Sequence, residues 1–207
     1  MFEEIIIYLG ILLPAIILHE CAHAWSAYIL GDPTAKQMGR LTLNPFKHID
    51  PVGSLILPGF LLLIRAMGHG VFLFGWAKPV PVNFLRLNNP KRDMMWVGMA
   101  GPAINVILAI FFSLLLRLSL PFVWVDILKA AVFFNLLLAI FNMVPIPPLD
   151  GSRLVMGLLP KNLLIPYSKL ERFGILIVFA LIPLGLFDRI VLPLIIASGK
   201  LLGVTLW

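Results

Sequence analysis

Apolar runs long enough to cross a lipid bilayer recur along this chain, and few architectures can accommodate them. They cover residues 5 to 30, 94 to 118 and 122 to 144, with two shorter stretches near 173 to 187 and 189 to 206. A hydrocarbon core about 30 Å thick takes about 20 helical residues at 1.5 Å each, whereas barrel strands would read as alternations of about 10 residues. The runs are unbroken, so the spans are expected to be helical. With 60% hydrophobic and 13% charged residues and a mean hydropathy of +1.01, a water-facing globular surface could not be built. The expected fold is an all-α polytopic membrane protein, a single domain over residues 1–207 with about 4 to 6 transmembrane helices.

The first run begins after Met1-Phe2-Glu3-Glu4, without the basic start of a secretory signal, and is expected to be retained. It stops at Gly31-Asp32-Pro33, a turn signal. Residues 34 to 51 are too polar to cross and read as a loop or hairpin. The stretch from Val52 to Ala77 is apolar but interrupted at Arg65-Ala66-Met67-Gly68-His69-Gly70, a costly sequence for one lipid-exposed helix, so a re-entrant pair of short pieces is expected. Residues 77 to 93 and the connector 151 to 172 are basic. Together with the 31 to 51 loop they hold eleven of the sixteen Lys and Arg, which puts all three loops on the cytoplasmic side of the cell membrane and the N-terminus outside. The formal charge of +6 follows from this bias and does not indicate nucleic acid. The single cysteine, Cys21, makes no internal disulfide.

Inside the first run lies His19-Glu20-Cys21-Ala22-His23. Two histidines four residues apart project from one helix face and can grip one metal ion, with the glutamate turned about 100° away, able to reach a water on that ion. Ionisable side chains inside a span face a partner, a bundle interior or a wet cavity. A catalytic zinc takes three protein ligands and keeps one position open. His48 and His69 lie in loop-like or re-entrant segments and Asp126 at the far end of its span, leaving Asp150 as the best third ligand. It closes Asn142-Met143-Val144-Pro145-Ile146-Pro147-Pro148-Leu149-Asp150-Gly151, where three prolines end the helix and are expected to leave extended backbone at the cytoplasmic side. The first motif lies at the same depth.

These residues resemble the site-2 protease family of intramembrane zinc metalloproteases, whose hallmarks are an H-E-x-x-H helix and a later Asn-x-x-Pro-x-Pro-x-x-Asp-Gly segment. Gly101-Pro102-Ala103-Ile104-Asn105 and Asn44-Pro45-Phe46-Lys47-His48-Ile49-Asp50-Pro51 extend the resemblance over about residues 10 to 160. It implies one Zn2+ held by His19, His23 and Asp150, with Glu20 as general base, and Asn142 and Asn105 contacting substrate backbone or the oxyanion. Asn105 can equally be an interhelical hydrogen-bonding residue. The implied catalytic core covers about residues 5–160, followed by C-terminal helices over 163–207, in a compact member with no room for a PDZ or CBS domain. The implied partner is a transmembrane protein substrate within the bilayer, and a homo-oligomer is compatible with it. An enzyme trimming prenylated tails would share the first motif but not the Asp150 string. A zinc transporter would have no use for Glu20, and a silent scaffold would not require the full ligand set.

Overall fold

A computed structural model describes residues 2–68 and 77–206, and every element among them is helix, turn or irregular chain. Helix α1 runs over Phe2–Ile29. It ends because Gly31 takes φ 108°, which lets the Asp32 N–H reach back to the Ala27 carbonyl at 2.8 Å and the Gly31 N–H to Tyr28, a left-handed helix stop that glycine tolerates best. Buried Asp32 then organises the exit. One carboxylate oxygen accepts from both the backbone and hydroxyl of Thr34, and the other accepts from the Asn83 N–H at 2.6 Å. Asp32→Ala would leave those part-buried donors without their acceptor, so it is expected to cost about 1–2 kcal/mol, seen as a lower thermal midpoint in detergent.

The segment after α1 is a chain of capped short turns, not a strand hairpin. Helix α2 spans Thr34–Gln37, a 3₁₀ turn spans Pro45–Lys47 under an Asn44 cap, and Asp50 caps a wider turn that leads into α3, Leu57–Ala66. The charged break expected at Arg65 falls at the end of α3. The second re-entrant piece and His69 lie outside the described residues.

Helix α4, Pro90–Leu115, starts four residues before its apolar run because Pro90 occupies the first turn and Asp93 accepts the Asn89 N–H at 2.7 Å. Helix α5 covers Phe122–Asn142. Among the described residues these two are long and apolar enough to cross a membrane, each with mean hydropathy 2.0, and α1, at 28 residues, has the length. The basic connector forms helices where a loop was expected: α6, Gly151–Leu158, and α7, Lys161–Lys169. Gly151, Ser152 and Met156 form the buried side of α6, a helical period that the charges of the connector mask. Arg153 joins Glu171 through two contacts, at 2.7 and 3.2 Å. The C-terminal apolar stretches are short, with α8 at Gly174–Leu181 and α9 at Leu192–Leu201.

Helix α4 lies at the centre, against α1, α5 and α6. Small residues allow this closeness. A side chain at Gly98 would meet Arg153 at 2.7 Å, and one at Gly157 would meet Met95 at 2.0 Å. One apolar cluster joins α4, α5 and α9 through Ala109, Val132, Leu136 and Ile195, and a second joins α1, α4 and α6 through Ala27, Val97 and Met156. Met143–Asp150 is folded into turns, closed by the Ile146 N–H to Val144 and the Leu149 N–H to Ile146. The extended backbone expected there is absent. With its ring-fixed φ angles, the proline-rich string doubles back, delivering Asp150 to α6 with the Pro145 carbonyl taken by the Tyr167 hydroxyl at 2.8 Å.

Candidate metal centre

His19 and His23, one turn apart on α1, are both buried, and their Nε2 atoms face each other at 3.0 Å. Asp150 completes a triangle, its Oδ2 lying 3.1 Å from His19 Nε2 and 3.2 Å from His23 Nε2. Tetrahedral zinc with bonds of about 2.0–2.2 Å separates its donors by about 3.3 Å, so the triangle has the dimensions of three ligands on one ion. Among the described residues it is the one cluster of three such donors.

The far side of each ring sets which nitrogen is free. His23 Nδ1 lies 2.6 Å from the Val97 carbonyl, which only accepts, so Nδ1 carries the proton. His19 Nδ1 lies 2.5 Å from Asn105 Oδ1. The amide of Asn105 is oriented by its own donation to Asn135 at 2.9 Å and towards the Ala15 carbonyl at 3.4 Å, while Asn135 donates to Ala131. Both Nε2 lone pairs therefore turn inward. The Oδ2 atom of Asp150 thus meets two imidazole lone pairs, and three such groups in contact are reconciled by a cation between them.

Gly101 leaves the remaining space. A Cβ there would stand 2.4 Å from His23 Nε2 and 2.5 Å from His19 Nε2, so the α4 backbone backs a cradle of metal-ion size at the point where the imidazoles converge. The donor set, its spacing and this cradle fit a zinc-like cation.

Glu20 points elsewhere on α1. Its Oε2 accepts the Val80 N–H at 2.8 Å, which straps the irregular segment 77–83 beside the metal cradle, and Oε1 has no protein partner among the described residues. Asn105, a candidate for substrate contact, is fully buried and hydrogen-bonded to His19. Asn142 is half-buried and donates to the Leu138 carbonyl of its own helix, with no hydrogen bond joining it to His19, His23 or Asp150. His48 is buried and turned to the Thr42 carbonyl at 2.8 Å, apart from the cluster. Gly101, the Val97 carbonyl and Asn135 were not singled out from sequence as parts of this site. Asn135 carries a signal as a polar side chain in mid-span, and Gly101 stands in the motif at residues 101–105 without a task of its own.

Known proteins are similar to this chain. The model of Peptidase family M50 matches residues 119–185, which run from the start of α5 through Asp150 into the C-terminal region. A Bacillus subtilis (strain 168) protein named "Putative zinc metalloprotease YwhC" is 38% identical over 180 residues, covering 81% of this chain and 77% of the relative. The chain belongs to peptidase family M50. A Mycolicibacterium smegmatis protein named "Putative zinc metalloprotease Rip2" is 36% identical over 146 residues, which are 67% of this chain and 52% of Rip2. The match therefore spans about half of Rip2. No solved structure matches the chain. In this M50 chain, Asn105→Ala would free the His19 ring to turn, and removal of such a supporting partner typically costs about 10–100-fold in metal affinity. Competition against a chelating dye in detergent is expected to read a loss in that range for zinc.

Proposed function

We propose that this M50 chain is an intramembrane zinc metalloprotease that hydrolyses peptide bonds of transmembrane protein substrates. The observation that carries the reading is the His19, His23 and Asp150 triangle set over Gly101, with Glu20 on the adjoining face of the same helix. These three residues would hold one Zn2+, which when bound supplies a Lewis acid that polarises the scissile carbonyl and acidifies a water. Glu20 takes the proton of the attacking water and returns it to the leaving amine. Asn142 would give up its bond to the Leu138 carbonyl to offer its amide to substrate backbone. A substrate helix hides its carbonyls in its own hydrogen bonds and must unwind. The irregular segment 77–83 beside Glu20 offers a track for it.

The same reading takes residues 1–207 as one membrane domain of about 4 to 6 spans with a re-entrant element after α1, in the cell membrane with the site toward the cytoplasm, as the Lys and Arg bias favours.

The test is cleavage of a panel of transmembrane reporter peptides in proteoliposomes before and after zinc removal. Chelation is expected to reduce cleavage to background and one equivalent of Zn2+ to restore it, with Mg2+ ineffective. Cleavage that survives complete zinc removal would sink the proposal. Zinc flux across the vesicle without cleavage of any reporter would move the assignment to transport.

A further inference from the structure

Arg40 is 7% exposed, and no carboxylate pairs with it among the described residues. Its Nη2 donates to the Lys78 carbonyl at 2.8 Å and the Pro79 carbonyl at 3.3 Å, while its Nε is buried without a partner. The carboxylates of this region are committed elsewhere: Asp32 to Thr34 and Asn83, Asp50 to Val52 and Gly53, and Glu20 to Val80. A buried guanidinium whose charge is met only by neutral carbonyls is an unbalanced arrangement. An anion from outside the protein would balance it.

The place for one is adjacent. Arg40 lines a cavity of about 380 Å³ together with Lys47 and Lys78, and among the described residues no acidic side chain contributes to its wall. The two lysines are exposed and come from segments that the Lys78 N–H joins through the His48 carbonyl at 2.9 Å. Met38 and Phe46 complete the rim, 62% and 80% exposed. Three cations beside exposed apolar side chains match a group that is anionic at one end and apolar at the other. Such a basic hollow at the edge of a membrane bundle is suited to a lipid phosphate.

We propose that Arg40, Lys47 and Lys78 form a binding site for the phosphate of an anionic phospholipid, whose acyl chains lie against Met38 and Phe46. The site shares no residue with the metal centre, and its occupancy is read by binding alone, so it does not depend on the protease reading. The headgroup bridges the loop carrying Arg40 and Lys47 to the strap carrying Lys78, and it thereby holds the two together.

Native mass spectrometry of the full chain in neutral detergent, titrated with palmitoyl-oleoyl phosphatidylglycerol or phosphatidylcholine, tests this. The wild type is expected to retain one phosphatidylglycerol in preference to phosphatidylcholine, with a raised thermal midpoint. Lys47→Gln/Lys78→Gln removes two exposed charges without touching the buried guanidinium, and is expected to weaken that binding by about thirtyfold at unchanged helix content. Phe46→Ser is expected to weaken the lipid but not a competing inorganic phosphate. No preference for the anionic lipid, or equal binding by the double variant, overturns the site. Inorganic phosphate displacing the lipid at equal concentration overturns the lipid assignment and makes free phosphate the ligand.

Discussion

Gly101→Ala is expected to strip the chain of bound zinc while leaving its helix content intact. The added methyl carbon would sit 2.4 and 2.5 Å from the two Nε2 atoms, in the space where the three donors converge. Neither imidazole can retreat freely, because the opposite nitrogens are tied to Asn105 and to the Val97 carbonyl. Alanine is a better helix former than glycine by about 1 kcal/mol, so α4 itself does not resist the change. The damage is confined to the cradle and should exceed the roughly 10–100-fold effect of losing a supporting residue. Zinc per chain, measured by mass spectrometry after brief exposure to a weak chelator, is expected to fall from one to near zero, with far-ultraviolet circular dichroism unchanged. Retention of stoichiometric zinc would mean that the ion sits away from the triangle.

Glu20→Gln is the complementary case, expected to keep zinc and lose cleavage. The amide has the size of the carboxylate and still offers an oxygen to the Val80 N–H, so the strap stays in place. It cannot take a proton from water. Positioned general bases contribute about 10²–10⁴-fold, and single-turnover cleavage of a reporter is expected to fall by that range while zinc content holds at wild type. Cleavage at the wild-type rate would remove Glu20 from the base role, and loss of zinc along with cleavage would make it a ligand.

The contrast between the two variants reflects how each residue was legible. His19, Glu20 and His23 could be placed from their spacing alone, since helix geometry fixes their relative directions over a single turn. Asp150 followed from depth, because the first span and the helix before the proline string both end on the side marked by the Lys and Arg bias. Gly101 could be noticed beside Pro102 but not given its task. That task depends on how α4 is rotated about its own axis, and no local pattern in α4 encodes the rotation. Asn105 had two open roles in sequence, and the structure shows it hydrogen-bonded to His19, with Asn135 behind it. The connector helices α6 and α7 were hidden because Arg153, Lys161, Lys169 and Arg172 read as loop charge while the buried face of α6 is carried by Gly151, Ser152 and Met156. The string at residues 145–148 reads as extended in sequence yet folds into turns, because proline sets φ but leaves the direction of the chain to its packing.

What the sequence by itself determined was the solvent and the local chemistry: long apolar runs dictate helices in lipid, and two histidines four apart dictate one shared ligand face. Tertiary structure alone decided that Asp150, 131 residues from His19, arrives 3.1 Å from its ring, that Asn105 and the Val97 carbonyl orient the imidazoles, and that a missing side chain at position 101 leaves the space between them. The physical reason is range. Hydropathy and helical spacing act over neighbours in the chain, whereas the rotation and approach of packed helices are set by small residues and buried hydrogen bonds contributed by segments that meet only when the bundle closes.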